Sequence, residues 1–335
     1  MLGIRVDANN KIGTGHLMRC LAIAQEARRQ GHDVLFICAQ GDDTHVIEQA
    51  GFSLELLSTG WNQYAEECNL IGEVLRRFHI SVLLIDSYYV TANYMKCCRA
   101  YCRVAYIDDL HAEIWPCDVL INYAKYADSF NYREEYPETT LLLGCKYVPL
   151  REMFCHVNKV VREQASEILV LTGGTDPFHF TRRFAESVLS KRDKIHYTVV
   201  CGIYNEDRQQ LEKMAKDNAQ LDVLFNVQNM RELMEQADIA VTAGGTTLYE
   251  LAACGTPAIC YSFVDNQLQN TQSFADSRHM LYAGDLREDN VLQSVSDSID
   301  YLRDNREVRK EMSCRLQALV DGGGTKRLVE ALLEE

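Results

Sequence analysis

The chain has 335 residues, 47% of them hydrophobic and 24% charged, with 5 prolines; this is globular composition and enough length for two cores. Asp and Glu outnumber Lys and Arg 48 to 34, a net charge of −14 that argues against nucleic acid as a partner. The 13 cysteines are scattered without zinc-type spacing and read as reduced thiols, no stretch has the length or apolarity of a membrane span, and no leader segment is evident, so a soluble cytoplasmic protein is expected.

The opening stretch from Ile4 reads as a short apolar strand, then a loop of turn formers containing Gly13 and Gly15, then a helix beginning near His16. Leu17, Leu21, Ala24 and Ala27 recur at helical spacing and give that helix one buried face. A helix start carries unpaired N–H groups and partial positive charge, which favour a phosphate. A neutral imidazole placed there can take a proton from water.

Strands and helices then alternate. Asp33 to Ala39, Phe52 to Leu57, Ser81 to Ile85, Arg103 to Ile107, Val119 to Ile121 and Thr140 to Leu143 read as strands, with helices at Thr44 to Gln49, Tyr64 to Arg77 and Ala92 to Ala100. Between Gly144 and Gln164 the pattern lapses into a charged connection. A domain boundary falls here, giving domains over 1–150 and 151–335. The alternation restarts with strands at Glu167 to Leu171, Tyr197 to Val200, Val223 to Phe225, Ile239 to Val241 and Ala258 to Tyr261. Helices follow at His179, Asp207 to Lys216, Met230 to Gln236, Leu248 to Ala253 and Asn266 to Ala275, and the tail from Glu288 is helical with a break at Gly322 to Gly324. The expected fold is α/β, two Rossmann-like domains with parallel sheets facing a cleft, with ligands at the strands' carboxyl ends.

Three strand-to-helix turns carry small residues: Gly13 to Gly15, Gly173 to Thr175, and Gly244 to Thr247. Each offers N–H groups at a helix start, and two or three together would cradle a diphosphate without a metal. Glu250 lies one helical turn beyond Thr246, where a carboxylate can accept the hydroxyls of a ribose. No Lys-Ser or Lys-Thr follows in the Walker manner. Other strand ends carry Asp86, Asp108, Asp109 and Asn122, each of which could cap the next helix; for Asp109 capping is the preferred reading. Two adjacent acids on a strand point oppositely, so Asp108 and Asp109 do not read as a metal pair.

RVDANNKIGTGHLMRCLAIA, with Asp86-x-Tyr88, Ile107-Asp108-Asp109, Asn122-Tyr123, Leu150-Arg151-Glu152, Gly173-Gly174-Thr175-Asp176, Glu250 and Asn266-Gln267, resembles the UDP-sugar hydrolases of pseudaminic acid biosynthesis. These act on UDP-2,4-diacetamido-2,4,6-trideoxy-β-L-altropyranose. The second half also resembles the UDP-binding domain of MurG-type glycosyltransferases of GT-B architecture. Gly13-x-Gly15-His16-x-x-Arg19 and Gly244 to Glu250 carry the likeness most specifically. The resemblance implies that His16 deprotonates the attacking water, that Tyr88 and Asn266 stand beside the sugar, with Gln267 next to Asn266, and that Glu250 holds the ribose. It further implies UDP phosphates at Gly173, Gly174, Thr246 and Thr247, uracil contacts from Val227 to Met230, and Arg151 as a charge partner. No cofactor and no metal is implied, the partner is a small-molecule UDP-sugar, and the chain is expected to be a monomer or weak homo-oligomer. A transferase using the same UDP site, a UDP-GlcNAc 2-epimerase and a non-catalytic nucleotide-sugar sensor are the competing readings.

Overall fold

A computed structural model describes the chain except residues 10, 11, 13, 42, 43, 190–194, 203, 204, 226, 289, 334 and 335. The chain divides into two compact units, Met1–Glu152 with Gly322–Glu335, and Met153–Asp321.

In the first unit the strands are β1 (Leu2–Val6), β2 (Val34–Cys38), β3 (Ser53–Leu56), β4 (Val82–Asp86), β5 (Arg103–Ile107), β6 (Val119–Asn122) and β7 (Thr140–Leu143). They are parallel in the order β3-β2-β1-β4-β5-β6-β7. Helices α1 (Gly15–Arg29), α2 (His45–Gln49), α3 (Tyr64–Arg77), α4 (Ala92–Arg99) and the short α5 (Tyr132–Glu135) connect them. Central strands such as VLFIC and VLLID are buried throughout, as a parallel sheet covered on both faces requires. Arg5 of β1 and Asp7 just after the strand are both buried. Arg5 grips Glu67 of α3 through Nε and Nη2 at 3.0 and 2.7 Å and Asp7 through Nη1 at 2.5 Å, so its charge enters the core fully paired.

The second unit holds β8 (Glu167–Leu171), β9 (His196–Cys201), β10 (Leu221–Phe225), β11 (Ile239–Ala243), β12 (Ala258–Ser262) and β13 (Leu281–Asp285), parallel in the order β10-β9-β8-β11-β12-β13. Its helices are α6 (Phe180–Leu189), α7 (Arg208–Lys216), α8 (Met230–Gln236), α9 (Thr247–Cys254), α10 (Asp265–Asp276), α11 (Val291–Asp304) and α12 (Arg306–Leu319). Strand β13 has no counterpart in the sequence reading. Its LYAGD is only partly buried, contains Gly284 at φ +117°, and meets β12 with a shift in register, so no apolar run marks it.

The last helix, α13 (Gly324–Leu333), belongs to the first unit, whereas the reading from sequence carried the second domain to residue 335. Leu328, Val329 and Leu332 are fully buried, α13 lies against α1, and Thr325 Oγ1 donates to the Leu150 carbonyl at 2.5 Å. Any Cβ on Gly324 would overlap the backbone of Val148. Helical periodicity reveals a buried face and is silent on which unit covers it. No described helix is long and apolar enough to cross a membrane.

Candidate active site

Strands β1, β4, β5 and β6 are consecutive in the first sheet, so the loops leaving their carboxyl ends are neighbours. Helix α1 starts in the first of these loops. Its N-cap Thr14 makes no side-chain capping bond, and its first turn carries no acid. His16 stands in that first turn with its side chain mostly covered, and its Nδ1 lies 2.6 Å from Oδ1 of Asp86, the last residue of β4. Arg19, one turn further along α1, grips the same carboxylate with Nε to Oδ2 at 2.6 Å and Nη2 to Oδ1 at 2.5 Å. Its Nη1 donates to Asp109 Oδ2 at 2.9 Å, beyond β5, and to the hydroxyl of Tyr123, beyond β6. Tyr88 returns to the same group: its hydroxyl donates to Asp109 Oδ2 at 2.9 Å, and its ring meets His16 edge-on with centroids 4.6 Å apart.

Burial opposes the charge of Asp86, but Arg19 and His16 outweigh it and hold the carboxyl well below the usual carboxylate range. Asp86 only accepts hydrogen bonds, and Arg19 Nη2, 3.0 Å from His16 Nδ1, already donates to Asp86 Oδ1 at 2.5 Å, so the 2.6 Å contact assigns the ring proton to Nδ1. Nε2 is then the lone-pair nitrogen. An imidazole oriented by a carboxylate in this way can accept a proton from water, and the carboxylate steadies the cation that results. Burial and the Asp109 charge push the Tyr88 phenol up, so Tyr88 serves as a neutral donor.

The carboxyl edge of the second sheet presents the other candidates. Gly173, at φ +82°, and Gly174 follow β8, and both have open space where a side chain would stand. Gly202, after β9, is packed so closely beneath them that any Cβ would overlap their carbonyl oxygens. Helix α9 opens at Thr247, with Thr246 as an N-cap making no side-chain bond, and Gly245 before it faces open space. Glu250 is in the first turn of α9 and half-buried. The α9 start is fixed to α10: Asn270 Nδ2 donates to the Gly244 carbonyl at 3.0 Å, Tyr249 donates to Asn270 Oδ1 at 2.7 Å, and Gly244 sits against Thr271 and Gln267.

The loop from Gly173 to Thr175 was expected to offer free N–H groups at a helix start. Asp176 takes that place instead, accepting from the N–H groups of Phe180 and Thr181 at 2.8 and 2.9 Å, so the start of α6 is capped by a carboxylate. Of the two helix starts that follow these glycine turns, that of α6 carries a carboxylate cap and that of α9 has no side-chain capping bond.

Among the expected residues, His16 and Tyr88 are in contact in the first unit, Gly15 opens α1, and Arg151 is half-buried at that unit's end. Gly13 lies outside the described residues. In the second unit Thr246, Thr247 and Glu250 share the start of α9; Gln267 packs on Gly244, while Asn266 is exposed in the first turn of α10. Val227 and Met230 flank the start of α8, both half-buried. The cap expected from Asp86 is supplied to α4 by Thr91, whose side chain accepts from Tyr94 N–H at 3.2 Å, and Asp109 caps no helix but binds Arg19 and Tyr88. Asp108 points the other way, accepting from Tyr132 at 2.9 Å and from the N–H of His111 at 2.9 Å. Arg19, Asp86, Asp109, Tyr123 and Gly202 received no site role from sequence. The first four stand after apolar runs or one turn from His16, a signal usable only once the strand order is known.

Residues 168–322 match the model of the glycosyltransferase family 28 C-terminal domain. An uncharacterized protein of Methanocaldococcus jannaschii is 26% identical over 282 residues, covering 80% of this chain and 56% of that protein, so the chain spans little more than half of this relative. The UDP-2,4-diacetamido-2,4,6-trideoxy-β-L-altropyranose hydrolase of Campylobacter jejuni is 28% identical over 270 residues, covering 78% of this chain and 92% of the hydrolase. Among solved structures, Acinetobacter baumannii MurG superposes with a TM-score of 0.73 at 13% identity, covering 100% of this chain and 99% of MurG. The chain therefore has the GT-B fold of two Rossmann-like α/β units, and it is similar to named proteins that include a UDP-sugar hydrolase.

Proposed function

We propose that the protein is a hydrolase that cleaves a UDP-linked 2,4-diacetamido-2,4,6-trideoxy sugar to free sugar and UDP, as a step of pseudaminic acid biosynthesis in the cytoplasm that supplies sugar for glycans such as those of flagellin. The observation that carries the reading is the His16 ring, whose Nδ1 is committed to Asp86 at 2.6 Å and whose Nε2 is left to act as base. The similarity to the Campylobacter jejuni hydrolase over 92% of its length supports the choice of substrate.

In this reading His16 Nε2 takes one proton from water while the oxygen forms a bond to the anomeric carbon. The bond from that carbon to the β-phosphate oxygen breaks, and its electron pair leaves with UDP. One displacement inverts the configuration. UDP departs as an anion, so no acid is required on the leaving oxygen, unlike the usual pair of carboxylates in a glycosidase. Backbone N–H groups around Thr246 and Thr247, with Gly173 and Gly174, receive the diphosphate, and the step uses neither metal nor cofactor. Glu250 accepts the ribose hydroxyls, Val227 to Met230 border the uracil, Arg151 adds positive charge, and Tyr88, Asn266 and Gln267 contact the sugar.

The test is incubation with a panel of UDP-sugars and no acceptor, following UDP release and the anomeric configuration of the freed sugar by NMR. Release of inverted free sugar, undiminished by EDTA, is the expected result. The match of residues 168–322 to a glycosyltransferase domain favours one second reading, a MurG-type UDP-sugar transferase. UDP release that begins only when an acceptor alcohol is added would select it.

A further inference from the structure

We propose that Arg19 is the positioning residue of this reaction: its single guanidinium holds Asp86 and Asp109 together and so fixes the base His16 and the neighbouring Tyr88 relative to each other. The inference rests on the hydrolase reading for its reaction, and on geometry alone for its architecture.

Arg19 is three residues from His16 on α1, so both project from the same face of the helix. It is buried, and its donors reach the side chains of Asp86, Asp109 and Tyr123. Two oxygens act as hinges. Asp86 Oδ1 receives Arg19 Nη2 at 2.5 Å and faces His16 Nδ1 at 2.6 Å. Asp109 Oδ2 receives Arg19 Nη1 at 2.9 Å and the Tyr88 hydroxyl at 2.9 Å. The planar fork lets Arg19 hold both oxygens of Asp86 in parallel while Nη1 reaches Asp109, and the single nitrogen of a lysine cannot reproduce that bidentate pair.

The charges point the same way. The groups gathered around His16 are Arg19 and Cys20 from α1, Asp86 and Tyr88 from β4 and its loop, Asp109 after β5 and Tyr123 after β6. Burial pushes the Tyr88 and Tyr123 phenols and the Cys20 thiol up, so they remain uncharged. Two carboxylates against one guanidinium leave the cluster one negative charge in excess while the imidazole is neutral. A proton arriving on His16 brings it to neutrality. Arg19 thereby holds the two carboxylates together with a single negative charge left over, which the proton on His16 then balances.

The experiment combines Arg19→Lys, Asp109→Asn, Tyr88→Phe and the last two together, each followed by kcat, KM, the pH profile, UDP affinity by calorimetry, and the 15N spectrum of the imidazoles. The wild type is expected to show His16 protonated at Nδ1. Arg19→Lys is expected to lower kcat about 100-fold, to shift the pH profile, and to spread His16 over both tautomers, with UDP affinity changed less than about twofold. Asp109→Asn and Tyr88→Phe should each cost about tenfold, and the double variant less than the product of the two, because both disturb the hydrogen bond they share. Retention of the kcat and tautomer of the wild type by Arg19→Lys overturns the proposal, as does a parallel loss of UDP affinity and melting temperature. If Arg19→Lys does not fold, additive losses in the Asp109 and Tyr88 pair overturn it and non-additive losses sustain it. A wild type that releases no sugar refutes the hydrolase reading alone, since the imidazole spectra still report on the architecture.

Discussion

The two nitrogens of His16 have different tasks, and the 2.6 Å contact with Asp86 divides them. Replacement of His16 by Asn keeps a polar side chain in the first turn of α1 but removes the proton acceptor. A loss of about 10² to 10⁴ in turnover is expected, with UDP affinity unchanged by calorimetry. Asp86→Asn asks a finer question, because an amide can donate to Nδ1 and so favour the tautomer with its proton on Nε2. Turnover should fall by about 10³ to 10⁴ although the ring stays in place, and 15N spectra should show the exchanged tautomer. Asp86 also links the site to stability. Its carboxyl is held below the unfolded value near 4 by Arg19 and His16, so its contribution is complete above that pH and is lost as the pH falls further. Melting curves taken below about pH 4 should therefore drop more steeply for the wild type than for Asp86→Asn, which has no carboxyl to protonate.

Among the elements, the glycine turns of the second unit separate packing from binding. Gly202 lies against the carbonyl oxygens of Gly173 and Gly174, so Gly202→Ala must displace that turn; a loss of about 1–3 kcal/mol in stability is expected, together with weaker UDP binding. Gly245 faces open space and has no left-handed backbone angle. Gly245→Ala should leave the melting temperature almost unmoved and still weaken UDP binding about tenfold, since its methyl group would occupy ligand space at the α9 start. Equal and small effects of both variants would remove the phosphates from this edge. The same turns show what sequence could convey. Apolar runs such as VLFIC and EILVL identify parallel strands because both their faces are covered, and the small residues after β1, β8 and β11 mark three loops. The Asp176 cap, by contrast, depends on a side chain reaching the N–H groups four and five residues ahead, and Gly202 matters only through a neighbour nearly thirty residues away. His16 was legible from its place at a helix start. Its partners at 86, 109 and 123 became so only with the strand order β1-β4-β5-β6, which no local pattern encodes.

At the scale of the whole chain, the two candidate sites differ in their dependence on the C-terminus. Helix α13 is the last described element, yet it closes the first unit, where it lies against α1, the helix that carries His16 and Arg19. Leu328, Val329 and Leu332 are fully buried, and burying each is worth about 1.5–3 kcal/mol, so removing the helix forfeits on the order of 5 kcal/mol, a large share of a domain's stability. A chain ending at Asp321 should accordingly lose the melting transition of the first unit and all hydrolysis. The nucleotide-binding residues proposed on α9 and α10 belong to Met153–Asp321, so UDP affinity should survive the truncation. Leu328→Ala offers the graded version, a loss of about 2–5 kcal/mol that lowers the first transition and leaves the second in place. Calorimetric melting with and without UDP reads both at once, because the ligand raises only the transition of the unit that binds it. If UDP instead raised the transition that Leu328→Ala lowers, the nucleotide would have to be reassigned to the first unit and the division of labour between His16 and Glu250 abandoned.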